Sequence, residues 1–237
     1  MVLANAEFES LTRWWRDAGV DLAVAETPQP WLAAPEGKRH TPAPPALPTP
    51  LALPDTLDAF VAWLMTDDAV RLGSPPARRV RPDGDPQARL MVLLDMPDPK
   101  DVDAGRLLTG EVGIQFDRML GAMNLSREQV YLASVAPGRH PTGRVPTNEL
   151  DAFAEQARRH VAMVQPQLLW IIGDAVSCAL LGNSVAATGR MLHELEIGGT
   201  TTKAIATVHP RLIVAEPRVH RARTWTTMQL LLPDLTS

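Results

Sequence analysis

Four short apolar runs recur along the chain: Arg89 to Leu94 (RLMVLL), Val130 to Val135 (VYLASV), Gln167 to Ile172 (QLLWII) and Ala204 to Val208 (AIATV). Each has strand length and almost no polar alternation, the pattern of a strand buried on both faces. Helical spacing fills the gaps. Val112 to Met123 places Ile114, Phe116, Leu120 and Met123 on one side, Thr147 to Val164 follows the second run, and Gly173-Asp174 opens a short helix to Leu181. A last helix opens at Pro217, a favoured first-turn residue, and continues to the Leu230 to Leu232 cluster. Strands buried on both faces and separated by helices predict a three-layer α/β/α domain around a four-stranded parallel sheet.

Such a sheet sends the loop after each strand to one edge, where ligands bind in open α/β folds. The four loops read DMPDPKDVDAGR, SVAPGRHPTGR, GDAVS and HPRL, and they collect Asp95, Asp98, Asp101, Asp103, Ser134, Arg139, His140, Arg144 and His209. Asp95 directly follows the first strand. A carboxylate there can orient a water and offset an oxocarbenium charge, as in glycoside hydrolysis. His209, just past the fourth strand, can donate to a departing group. The structural alternatives are a turn-capping Asp95 and a satisfied turn histidine before Pro210.

Other chemistries lack their motifs. No Gly-rich phosphate loop opens a helix after the first strand, and no G-x-S-x-G elbow surrounds Ser134. The histidines show no metal-ligand spacing, and a lone cysteine, Cys178, excludes a disulfide framework or a thiolate-bound cluster within one chain. A reducing, cytoplasmic setting is expected. No apolar run approaches membrane-spanning length, and Met1 to Ala25 lacks the regions of a signal peptide. The net charge of −4 argues against a polyanion ligand, but Arg211 to Arg223 holds four arginines and one acidic residue, Glu216. Local charge governs phosphate binding because screening confines it to roughly 8–10 Å.

The N-terminal part differs from the rest. Residues 6–18 space Phe8, Leu11, Trp14 and Trp15 along one helical face, and residues 27–54 hold much of the chain's complement of 22 prolines. The expected organisation is a helical arm over residues 1–26, a proline-rich linker over 27–54, and a main domain over 55–237 that starts with a helix, Thr56 to Met65, capped by Asp55. The proline-rich segment is a possible contact for a protein partner.

The ordered set of motifs resembles the uracil-DNA glycosylase superfamily, and within it the bacterial branch that usually carries an iron–sulfur cluster. DGDPQARLMVLLDMP (83–97) looks like that branch's lead-in, strand and GEAPG motif. GRLLTGEVGIQFDRML (105–120) looks like its GRPFVG motif and following helix. VYLASVAPGRHPTGRVPTNEL resembles VYITNVVKCRPPxNRxPTxxE, and ATVHPRLI resembles the HP motif.

The resemblance implies DNA as partner and hydrolysis of the N-glycosidic bond of a deaminated or otherwise altered base, in base-excision repair. It assigns Asp95 and His209 to catalysis, Met96, Pro97, Leu108 and Ser134 to the base pocket, and Arg139, Arg144, Arg211 and Arg218 to DNA phosphates. The departures fall on recognition. Asp95 is one methylene shorter than the family's glutamate, Leu108 replaces a stacking phenylalanine, and Ser134 replaces an asparagine that reads the base edge with two hydrogen bonds. Gly138 and Phe153 stand at two cluster-ligand positions, so no cluster, metal or other cofactor is expected. A non-catalytic module of the same fold that binds DNA or protein is the competing expectation.

Overall fold

The computed structural model describes residues 54–67, 70, 75 and 78–235, with isolated positions 10, 13, 14 and 17 in the arm, where the backbone is helical. The rest of the arm and nearly all of the proline-rich segment lie outside the described residues. By internal contacts the chain divides into Met1–Leu51 and Ala52–Ser237. The second unit contains the whole sheet.

Four parallel strands lie at its centre: β2 (Leu90–Leu94), β3 (Val130–Ser134), β4 (Leu168–Ile172) and β6 (Thr200–Thr207). β2, β3 and β4 match their apolar runs, whereas β6 begins ahead of AIATV with the polar residues Thr200 to Lys203 and ends at Thr207. The sheet has six strands rather than four, in the order β1-β3-β2-β4-β6-β5. At one edge β1 (Asp83–Gly84) pairs antiparallel with β3, and at the other β5 (His193–Ile197) pairs antiparallel with β6.

Both additions have a local reason. β1 is only two residues long and carries no apolar signature. β5, HELEI, alternates half-buried and exposed positions because it packs on one face only, and two glutamates conceal its three inward residues. Gly198 and Gly199 join β5 to β6, with φ of 63° and 79°. Two successive positive φ values define the tight turn that matches hairpin twist, and glycine adopts them without strain.

Strand residues alternate between two apolar layers. Met91, Leu93, Tyr131, Ala133, Leu169 and Ile171 face one layer with Phe153, Ala157 and Val161. Those three lie on α4 (Leu150–Val164), which follows a 3-10 turn at Thr147–Glu149. Leu90, Val92, Leu132, Trp170 and Ile172 face the other layer with Phe116 and Leu120 of α3 (Gly110–Ala122). Trp170 has no exposed surface, and its indole N–H donates to the Thr207 hydroxyl at 2.7 Å. Each large side chain buried this way contributes about 1.5–3 kcal/mol.

Helix α1 (Leu57–Thr66) is capped by Thr56, whose hydroxyl accepts from Ala59 N–H, and not by Asp55 as the sequence suggests. Asp55 instead pairs with Arg159 at 2.8 Å. Two further short helices escape the periodicity: α2 (Pro99–Ala104) and, following α5 (Asp174–Leu181), α6 (Val185–Thr188). The segment HPRLIVA is also helical, as α7 (Pro210–Ala215), and leads into α8 (Pro217–Met228). Six residues are too few to display an apolar period. Among the described residues, no helix is long and apolar enough to cross a membrane.

Candidate active site

The strand order places β2 between β3 and β4, so the chain reverses its direction of sheet growth after β3. A crevice opens at the carboxyl ends of strands where such a reversal occurs. A pocket of about 420 Å³ lies there, lined among others by Asp95, Met96, Arg144, Gly173, Asp174, His209 and Arg211. Asp95, Met96, His209, Arg144 and Arg211 therefore come together, although they are drawn from three separate loops.

Asp95 leaves the end of β2 and meets the start of α5. Its Oδ1 accepts from Val176 N–H at 2.8 Å, and Ala175 N–H supplies a second backbone donor. Burial pushes its pKa up from 3.8 to about 6, against the lowering effects of these two donors and of Arg211. At neutral pH it is mainly ionised, yet poised to accept a proton. Gly173, with φ of 113°, makes this possible. A Cβ at that position would overlap the carboxyl group of Asp95. Gly173 and the first turn of α5 thus belong to the site, and GDAVS signalled them only as an anonymous loop.

His209 ends the link from β6 and caps α7. Its Nδ1 accepts from the Arg211 N–H at 3.2 Å, which leaves the proton of a neutral imidazole on Nε2. Burial lowers its pKa to about 4, partly opposed by Asp98. His209 is therefore an uncharged donor at neutral pH. This arrangement suits stabilising a developing anion without first losing a proton.

The arginines do not share one environment. Arg139 donates from one guanidinium nitrogen to the Pro97 carbonyl at 3.1 Å and to Asp98 Oδ1 at 3.2 Å. Arg211 reaches the same Asp98 oxygen at 3.0 Å. Arg144 is exposed at the pocket rim. Arg218 lies on α8 in a different concavity, a groove of about 750 Å³ shared with Arg118, Arg221 and Trp225. Asp98, which sequence reasoning placed at the edge without a role, is the group on which two arginines converge. Its signal was the Asp-Pro pair that opens α2.

Three members of the expected base pocket do not line the cavity. Pro97 is buried. Ser134 is 3% exposed at the end of β3. Leu108 is buried in the core layer around Phe116, with φ of 51°. The left-handed backbone at Leu108, uncommon outside glycine, is over-determined. Arg127 donates to the Leu107 and Leu108 carbonyls at 2.9 and 2.6 Å, and Asp101 accepts from Thr109 N–H and hydroxyl, each at 2.8 Å. Gly113 leaves room for the Leu108 carbonyl, which a Cβ would strike.

A thiolate-ligated cluster does not fit these residues. Such ligation generally takes four cysteines, and the chain has one, Cys178, exposed on α5. Phe153 is fully buried in the core, and no group of three or more metal-binding side chains occurs among the described residues.

The family model described as "Uracil DNA glycosylase superfamily" matches residues 81–230. The match covers every central strand together with Asp95 and His209, and the chain belongs to that superfamily. Among curated relatives, the type-4 uracil-DNA glycosylase of Archaeoglobus fulgidus is 22% identical over 172 residues, 70% of this chain and 86% of that protein. The type-4 enzyme of Thermotoga maritima is 25% identical over 135 residues, 56% of this chain and 69% of its own length. That of Pyrobaculum aerophilum is 21% identical over 142 residues, 57% and 72% of the two chains.

Proposed function

We propose that this protein binds DNA and hydrolyses the N-glycosidic bond of a deaminated or otherwise altered base. The observation that carries the reading is the convergence of Asp95 and a neutral His209 on one pocket at the sheet's reversal point. Asp95 orients the attacking water or offsets the positive charge that develops on the sugar. Hydrogen bonds from the first turn of α5 fix the carboxylate in place, so little reorganisation accompanies the transition state. His209 Nε2–H stabilises the base as it departs with the bonding electrons.

Met96 lines the pocket against the base, and Arg144 and Arg211 contact phosphates at its rim. Arg139 supports the rim through Pro97, while Arg218 extends the DNA contact from α8. With Leu108 in the core, stacking worth roughly 1–3 kcal/mol per base is not supplied from that position. Substrates whose bases leave the stack readily, in single strands or mispairs, are therefore favoured.

The test incubates the full chain with single- and double-stranded oligonucleotides carrying uracil, hypoxanthine or xanthine, followed by cleavage at abasic sites. Wild type should produce abasic sites on at least one substrate, and Asp95→Ala should not. Equal background cleavage by both proteins on every substrate would overturn the enzymatic reading.

A further inference from the structure

The Asp98 carboxylate is the acidic group at the centre of the basic rim. Arg211 and Arg139 direct guanidinium nitrogens at the same oxygen, Oδ1, at 3.0 and 3.2 Å. The other oxygen lies 4.0 Å from His209 Nε2. The Asp98 side chain is 17% exposed and that of Arg211 48%. The carboxylate is thus partly shielded from water and ions, whereas the longer arginine can turn outward.

Two guanidinium groups converging on one oxyanion form the geometry that binds a phosphate. An internal carboxylate already fills it. We propose that Asp98 occupies the seat of a backbone phosphodiester, and that DNA engages the rim by displacing it from Arg211. This deepens the DNA-binding reading and rests on it. Arg139 stays tied to the Pro97 carbonyl during the exchange, so Arg211 is the group that changes partner. The consequence is selective. A ligand that offers only one weak anionic contact does not compete with a carboxylate held in place by its own chain. A nucleic acid with several phosphates in register does.

Asp98 also precedes Pro99 at the start of α2, and a purely structural role as helix cap is the alternative. Asparagine and serine both retain capping ability while removing the charge, and so separate the two roles. The experiment measures anisotropy of a labelled uracil-containing single-stranded oligonucleotide with the full-length protein, between about 50 and 200 mM salt. It compares wild type, Asp98→Asn, Arg211→Gln and the double variant, with Asp98→Ser replacing Asp98→Asn if the latter does not fold.

Asp98→Asn should bind roughly tenfold more tightly at low salt, with the same phosphate contacts and so a similar salt slope, because no carboxylate then has to be displaced from Arg211. The gain should vanish in the Arg211→Gln background. Wild-type binding with no gain in Asp98→Asn overturns this proposal alone, as does a gain that persists without Arg211. Absence of binding by both wild type and Asp98→Asn at the lowest salt overturns the DNA reading and this proposal together.

Discussion

Two concavities of the molecule make opposite use of the same residue type. At the carboxyl edge of the sheet, Arg139 and Arg211 are compensated by Asp98 around a pocket of about 420 Å³. Between α3 and α8, a groove of about 750 Å³ has an apolar floor that includes Met119, Ile213 and Met228, rimmed by Arg118, Arg218 and Arg221. No carboxylate lines this groove among the described residues. The larger cavity has more uncompensated charge, yet it holds no group able to exchange a proton near neutral pH. The smaller one holds Asp95 and His209, whose pKa values are displaced in opposite directions. Size marks where a ligand can fit, and displaced protonation marks where chemistry can occur.

The contrast is broken most directly by removing the paired groups. Asp95→Ala and His209→Ala should each lower the single-turnover rate of base release by on the order of 10²–10³, in the range of lost acid–base or electrostatic contributions. A loss below about threefold in both variants would remove the smaller pocket from the mechanism.

Gly173→Ala tests how strictly the pocket is built. Its Cβ overlaps the Asp95 carboxyl group, so the helix start or the aspartate must shift. A destabilisation of about 1–3 kcal/mol is expected from the strained backbone and displaced carboxylate, with a fall in activity. Denaturant unfolding with an unchanged midpoint would contradict it.

Proton linkage gives a prediction of defined sign. The folded-state pKa of Asp95, about 6, lies above its ordinary value of 3.8, so the folded protein holds this proton more tightly. Ionised Asp95 opposes folding increasingly as pH rises from about 4 to 6, and fully above that. Asp95→Asn should therefore stabilise the protein above pH 6, by up to roughly 3 kcal/mol, with little effect below pH 4. Activity should run the other way, falling as pH drops through about 6 because the carboxylate becomes protonated. His209 stays neutral until about pH 4 and adds no second limb above that.

The smallest effect belongs to the groove. Arg218→Gln should weaken DNA binding only a few-fold and reduce the salt slope by about 1, while leaving the rate of bound substrate unchanged. A large fall in that rate would join the two cavities into one functional surface.

The central sheet was legible because β2, β3, β4 and the second half of β6 are buried on both faces and are therefore apolar at nearly every position, while the polar first half of β6 went unseen. The placement of Asp95 and His209 in one pocket was legible because both lie just past the carboxyl ends of central strands. The edge strand β5 was not, since burial on one face left Glu194 and Glu196 free to break the apolar run. Nor was the pairing of Asp98 with Arg139 and Arg211, 41 and 113 residues away in the chain. Charge letters reveal that cations are present near an edge but not which of them an internal anion already holds. Leu108 shows a third limit. Its motif position suggested a pocket wall, whereas the clamps from Arg127 and Asp101 turn the side chain into the core.

The antiparallel strands that flank the sheet also bear on how the protein behaves at high concentration. A bare parallel strand at an edge would offer a row of unpaired amides to any neighbouring chain. Here one flank ends in a two-residue strand, whose Asp83 is held by Arg106. The other ends in β5, which presents Glu194 and Glu196 outward. A short strand and a negatively charged strand are both poor templates for cross-chain pairing. The sheet's growth therefore stops within the molecule, which favours a dispersed protein over fibrils or strand-swapped assemblies.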